Sequence, residues 1–171
     1  MESTDPIHSK QVQSKQIKTR QISDQLVQVP GSKSISHRMM ICAALSKGSS
    51  KIRNLLQSQD LSLTTNALAA MGACIREIEP GLVAVQGFNG RPLPHDPPIY
   101  LGNSGTSMRL LAGIAALGQS LYTLTGDQRM CERPMIELLD ALNTLQVEAR
   151  SIHPGGTPPV TIQGLGRSGG T

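Results

Sequence analysis

The chain has 171 residues, 38% of them hydrophobic, with 16 Lys and Arg against 12 Asp and Glu for a formal charge of +4. This length suits one domain, and the longest apolar run, residues 39–45, falls far short of the roughly 20 residues that span a bilayer. Three aromatics, Phe88, Tyr100 and Tyr122, give almost no platform for stacking bases, so neither a membrane nor a nucleic-acid partner is expected.

Residues 1–20 read as a polar arm without the apolar core or cleavage site of a secretory signal, which predicts a cytoplasmic protein. Residues 21–29 alternate Ile22, Val27 and Val29 with polar side chains as a candidate strand. A Gly/Ser-rich turn then opens an apolar helix over 34–46, with Gly48 as its predicted C-cap. A β-like run, 50–55, precedes Ser58 and a second helix carrying Leu61, Thr64, Leu68 and Met71 at helical spacing, with Gly72 beyond its end. Strands are predicted over 74–78 and 82–86, followed by a Gly/Pro-rich loop at 87–98.

The same order then recurs. A Gly/Ser/Thr-rich turn opens a helix over 106–117, capped by Gly118. A strand over 121–125 follows, then a helix with Pro134 in its first turn and Leu138, Leu139, Leu142 and Leu145 on one face. Strands at 147–152 and 159–163 flank a turn-rich loop, and 164–171 carries almost no apolar side chains. Direct matches support the recurrence. Residues 31–38 align with 102–109 at an offset of 71, Ala43-Ala44-Leu45 with Ala115-Ala116-Leu117 at 72, and Asn66-Ala67-Leu68 with Asp140-Ala141-Leu142 at 74. Two βαβαββ units in an α/β fold are therefore expected.

Cys42, Cys74 and Cys131 are odd in number and lack a C-x-x-C pair, so they predict neither disulfides nor zinc and are expected to be small buried hydrophobes. His8, His95 and His153 have no metal spacing, and His37 is expected to be a packing residue. Neither a Ser-His-Asp order nor a carboxylate pair for acid–base work is visible.

Anion binding is visible. Lys33 and Arg38 flank a helix start among Ser32, Ser34 and Ser36, where free N–H groups and the helix dipole favour negative charge. The same pattern also describes a capped surface helix with solvated cations. The second copy offers Asn103, Ser104, Gly105, Thr106 and Arg109 at an equivalent start, and the repeat implies that both ends address one site. In the stretch 125–134, Arg129 is expected to bind ligand, whereas Arg133 is expected to fasten the loop to Asp127 or Glu132. Asp60 is expected to complement the dipole of its own helix.

The segments PGSKSISHR at 30–38, LGNSGTSMR at 101–109 and LTGDQRMCERP at 124–134 resemble the EPSP synthases, the 3-phosphoshikimate 1-carboxyvinyltransferases. The resemblance covers nearly all of 20–171. It implies transfer of the enolpyruvyl group of phosphoenolpyruvate to the 5-hydroxyl of shikimate 3-phosphate, with release of phosphate and no metal or organic cofactor. It further implies that Lys33, Ser34 and Arg38 hold shikimate 3-phosphate and that Lys33 also takes part in catalysis. Lys33, Asn103, Gly105, Thr106 and Arg129 would meet phosphoenolpyruvate, with the glyphosate niche around Gly105 and Thr106. Leu110 and His37 depart from the Pro and Asn of many family members.

The family's inside-out α/β barrel has two domains of three βαβαββ units each. By that comparison 1–20 is an arm, 21–31 a strand and crossover from a missing second domain, 32–101 the first unit, and 102–171 the second, ending before the third. The chain is then an N-terminal part, inactive alone and completed by a C-terminal polypeptide that carries the acid–base residues. Two alternatives remain open: a non-catalytic anion-binding or regulatory fragment, and the related enolpyruvyl transferase acting on UDP-N-acetylglucosamine.

Overall fold

The computed structural model describes residues 29–166 continuously, together with Gln16, Asp24 and Leu26. The arm, the strand expected over 21–29 and the last five residues lie wholly or largely outside these. In chain order the elements are α1 (Lys33–Leu45), β1 (Ser49–Arg53), α2 (Gln59–Ala70), β2 (Cys74–Glu79), β3 (Leu82–Gln86), β4 (Ile99–Tyr100), α3 (Gly105–Ala115), β5 (Leu121–Thr125), a 3-10 turn (Met130–Glu132), α4 (Ile136–Thr144), β6 (Ala149–Ser151) and β7 (Val160–Gln163).

The strands form two sheets, β1-β3-β2 and β4-β5-β7-β6. The three strands shared by both copies pair in the same antiparallel order, β1 with β3 and β2 with β3, then β5 with β7 and β6 with β7. The second copy adds β4, parallel to β5, with Ile99 opposite Leu124. The repeat reading left 99–101 in the first unit; the hydrogen bonds put β4 in the second sheet, on the side of β5 that β7 leaves unpaired. Helix α2 packs between α1 and α3 and also touches β2 and β4, while α4 packs on β6. One apolar core therefore runs through both copies, from Met40, Ala44 and Leu68 to Met108, Leu111 and Ile162.

Local chemistry explains the element ends. Ser32, Ser58 and Ser104 cap α1, α2 and α3, each accepting a hydrogen bond from the backbone N–H three residues on. Gly87 and Gly164 follow the last strand of each copy and press on the carbonyl end of its first helix. A Cβ at Gly87 would lie 2.2 Å from the Ser46 carbonyl, and one at Gly164 would lie 2.4 Å from that of Gly118. Only glycine fits such an approach.

Four expectations are corrected. Gly48 and Gly118 are not the caps: α1 ends at Ser46, whose N–H reaches the Cys42 and Ala43 carbonyls, and α3 ends at Ala116. Pro134 lies outside α4, which starts at Ile136 after its N-cap Met135, whose N–H is bonded to the Gly156 carbonyl. Leu145 is 45% exposed and leaves the apolar face. Cys42 and Cys74 are exposed and Cys131 is half-buried. Cys42 shares the outer stripe of α1 with Ile35 and Met39, and Cys74 begins an edge strand that turns only Ile75 partly inward.

The two α-helices at equivalent second positions end alike but with different residues. After α2, Gly72 takes φ 103°, and the Ala73 N–H bonds the Leu68 carbonyl; after α4, Gln146 takes φ 63°, and the Val147 N–H bonds the Leu142 carbonyl. Gln146 thus pays the Cβ penalty that Gly72 avoids. Gln146→Gly is expected to stabilise the chain by about 1 kcal/mol, read as a higher urea midpoint with unchanged slope.

Candidate anion-binding site

Three helix starts meet at one open cleft of about 520 Å³, walled by Lys33, Asp60, Asn103, Gly105, Thr106, Arg109 and Arg133. Lys33 is the first residue of α1, Asp60 the second of α2 and Gly105 the first of α3. The first turns of α1 and α3 contain no acidic residue, whereas that of α2 contains Asp60. Two dipole ends are therefore left to attract an anion from outside the chain.

Lys33 Nζ forms an ion pair with Asp60 Oδ2, with side chains 51% and 30% exposed. At that exposure solvent screens the pair, and its main effect is geometric: it holds Lys33 across the cleft mouth and cancels one positive charge. Arg109 Nη1 donates to the Gly105 carbonyl at 3.4 Å, and its Nη2 to the Pro134 carbonyl at 3.2 Å, so this guanidinium bridges the start of α3 to the loop before α4. The Arg133 guanidinium lies over the same helix start, since a Cβ added at Gly105 would sit 3.0 Å from Arg133 Nη1 and 3.3 Å from Arg109 Nη1. Among the described residues neither arginine has a carboxylate partner. Asn103 Oδ1 is buried without a hydrogen-bond partner and leaves one acceptor free at the wall.

Below the cleft the helices are joined through buried side chains. His37 Nδ1 lies 2.9 Å from Thr64 Oγ1, Thr64 Oγ1 lies 2.7 Å from Ser107 Oγ, and Ser107 Oγ lies 2.6 Å from Ser104 Oγ. Ser107 also reaches the Asp60 carbonyl at 3.3 Å. His37, Thr64, Ser104 and Ser107 are all fully buried. This chain of bonds joins α1, α2 and α3 directly beneath their starts.

The structure brings Lys33, Asn103, Gly105 and Thr106 to one cleft, as the repeat implies. Ser34 and Arg38 are exposed beside it and bonded to each other, with Arg38 Nη1 donating to Ser34 Oγ and, at 3.1 Å, to the Ser34 carbonyl. Arg129 is exposed and is not part of the cleft wall, whereas Arg133 is. The expected pairing of Arg133 with Asp127 or Glu132 does not form: Asp127 Oδ1 instead accepts from the Met130 N–H at 2.9 Å and closes the 3-10 turn. Arg109 and Asp60 also belong to the site. A signal for Arg109 existed, because it lies one helical turn after Gly105 on the same face. The Asp60 link to Lys33 spans 27 residues and has no local signature. Among the described residues no group of His, Cys, Asp and Glu side chains is arranged to hold a metal ion, and no helix is long and apolar enough to cross a membrane.

The chain is thus a two-unit α/β repeat protein in which three helix starts, with Lys33, Arg109 and Arg133, face one cleft. The sequence profile of EPSP synthase, the 3-phosphoshikimate 1-carboxyvinyltransferase, matches residues 17–171. The chain belongs to the EPSP synthase family, which decides between the two enolpyruvyl transferases that the motifs left open. It is 44% identical over 145 residues to the 3-phosphoshikimate 1-carboxyvinyltransferase of Methanothermobacter thermautotrophicus, covering 85% of this chain and 34% of that protein. It is 40% identical over 147 residues to that of Shewanella amazonensis, with coverage of 85% and 34%. The solved EPSP synthase of Acinetobacter baumannii superposes with a TM-score of 0.79 at 33% identity, over 85% of this chain and 33% of that one. The fold is therefore that of the inside-out α/β EPSP synthases, and the chain spans about a third of the length of the relatives it matches.

Gly105→Ala tests the cleft directly. The added methyl meets both guanidinium ends and occupies the space in front of the α3 start. Because those neighbours are the tips of long side chains, the fold tolerates it. The expected result is an unchanged melting temperature with anion affinity reduced by about tenfold, the equivalent of one charge-assisted hydrogen bond, measured by calorimetric titration.

Proposed function

We propose that this chain supplies the N-terminal part of a 3-phosphoshikimate 1-carboxyvinyltransferase, binding phosphoenolpyruvate and shikimate 3-phosphate in the cytoplasm. The observation that carries this reading is the convergence of two uncompensated helix starts, Lys33, Arg109 and Arg133 on one cleft. Both substrates are multiply charged anions, and backbone N–H groups with bidentate guanidinium groups match phosphate and carboxylate oxygens. The unpartnered Asn103 Oδ1 suits a cleft that takes shikimate 3-phosphate, the substrate with donor hydroxyls, beside phosphoenolpyruvate.

In this reading Lys33, Asn103, Gly105 and Thr106 meet phosphoenolpyruvate, and Arg133 joins them from the cleft wall. Lys33, Ser34 and Arg38 hold shikimate 3-phosphate at the start of α1. Arg129, on the exposed loop before Met130, engages phosphoenolpyruvate when the loop faces the rest of the enzyme. In the reaction the C–O bond between the enolpyruvyl carbon and phosphate breaks, a C–O bond to the 5-hydroxyl oxygen forms, and the hydroxyl proton is balanced by the released phosphate. Lys33 contributes by stabilising negative charge on the departing phosphate.

The reading includes a partner, the polypeptide corresponding to the other two thirds of the relatives' length. Ile35 and Met39 on α1 are 62% and 47% exposed, and the repeat places them opposite Thr106 and Leu110 of α3. An added Cβ at Gly113, one turn further along α3, meets nothing within 4 Å. Matching faces left open on both helices fit a further unit of the same kind.

Phosphate release from phosphoenolpyruvate plus shikimate 3-phosphate tests the proposal, with the chain alone and with a separately made polypeptide covering the relatives' remaining length. Release is expected only in the mixture, and Lys33→Ala is expected to lower it by at least about a hundredfold, the scale of one lost electrostatic contact in a transition state. A folded mixture that binds shikimate 3-phosphate without releasing phosphate would leave a non-catalytic anion-binding protein.

A further inference from the structure

The histidine beneath the cleft is more than a packing residue. His37 lies one turn after Lys33 on α1, and proton counting along its hydrogen-bond chain gives the chain a direction. The Asp60 carbonyl only accepts, so Ser107 donates to it. A hydroxyl has one proton, so Thr64 and Ser104 donate to Ser107. The Thr64 proton is then committed, and Thr64 accepts from His37 Nδ1. Nδ1 therefore carries a proton, and because the buried Nε2 has no hydrogen-bond partner among the described residues to receive a second N–H, the ring is neutral.

Protonation would place an N–H on that nitrogen with nothing to receive it. It would also add charge facing Lys33 and Arg38 of α1, opposed only by Asp60 of α2, while α3 presents hydroxyls to this node. Burial first, then Lys33, holds the His37 pKa below its ordinary 6.5, against the smaller opposing effect of Asp60. Between the native value and 6.5 the unfolded chain binds a proton that the native chain does not. The stability that His37 contributes is thus complete above the unfolded pKa and is lost as pH falls through the native one.

We propose that His37 is a positioning residue of the cleft: its Nδ1–H orients the Thr64–Ser107–Ser104 chain, and through the Ser104 cap and the Asp60 carbonyl it keeps the starts of α2 and α3 in register with Lys33. The proposal rests on the anion-cleft reading above. An imidazolium seeks water for its second N–H and leaves this arrangement, so acid weakens anion binding through His37 itself and not only through the ligand.

Sulfate is the appropriate probe because it keeps its charge across the range, unlike phosphate. Calorimetric titration of the full chain at about pH 7.5 and about pH 4.5 compares the two charge states, the lower value being set well under 6.5 because burial depresses the His37 pKa. Wild type is expected to lose about tenfold in sulfate affinity on acidification, one pK unit of linkage. In His37→Asn the δ atoms occupy the place of Nδ1, the amide still donates to Thr64 and nothing titrates. This variant is expected to keep the neutral-pH affinity and to change by less than about twofold with pH. His37→Leu is expected to bind weakly at both values. Identical pH profiles for wild type and His37→Asn overturn the proposal.

If sulfate binds none of these proteins, the anion-cleft reading fails, and the positioning role is decided independently by nitrogen NMR of the imidazole and by hydrogen exchange. A neutral ring protonated on Nδ1, with slow exchange of the Ser107 amide that is retained in His37→Asn and lost in His37→Leu, upholds it. A ring protonated on Nε2 overturns it.

Discussion

The Ser107 hydroxyl is the point on which the rest of this structure depends. It touches Thr64 of α2, the Ser104 cap of α3 and the Asp60 carbonyl, and through Thr64 it connects to His37 of α1. Apolar packing attracts without direction and would let the three helices slide along one another. Hydrogen bonds among fully buried groups are directional, and each carries a penalty if left unmade. Together they select one axial register, and that register brings the three helix starts to a common level.

The electrostatics of the cleft follow from that register. Each helix contributes the positive end of its dipole. Only α2 meets this end with a carboxylate of its own, Asp60, and that carboxylate is also paired with Lys33. Arg109 and Arg133 then face the start of α3, and among the described residues neither forms an ion pair with an acid. Like charges gathered in this way are tolerated because the cleft is open to water, and they favour an anion there. The neutrality of His37 belongs to the same balance, since another positive charge beneath Lys33 would work against the arrangement.

Duplication explains how so short a chain builds a two-sided site. Both copies fold a capped helix onto an antiparallel set of strands, and a glycine after the last strand, Gly87 or Gly164, closes against the carbonyl end of that helix. The copies differ where local constraint is weak. The left-handed position after the second helix is Gly72 in one and Gln146 in the other, and the exposed Gln146 side chain leaves room for the less suitable residue. Family membership agrees with this construction, since the solved relative superposes over 85% of the chain.

Much of this was legible in the amino-acid sequence, because the signals are local. The repeat offsets, the serines before three helices and the helical spacing of Leu61, Thr64 and Leu68 all act within a few residues. They determine the order of elements, the α/β class and the gathering of cations at two helix starts. Tertiary structure decided what depends on partners distant in the chain. It joined Lys33 to Asp60 across 27 residues, paired β4 with β5 and placed Arg133 rather than Arg129 on the cleft wall. It also exposed Cys42 and Cys74 and buried His37 against Thr64. For the Lys33–Asp60 and His37–Thr64 links the deciding factor is the seating of α2 between α1 and α3. Periodicity specifies which face of a helix is apolar, but the identity and register of the helix that covers that face come only from packing the whole chain.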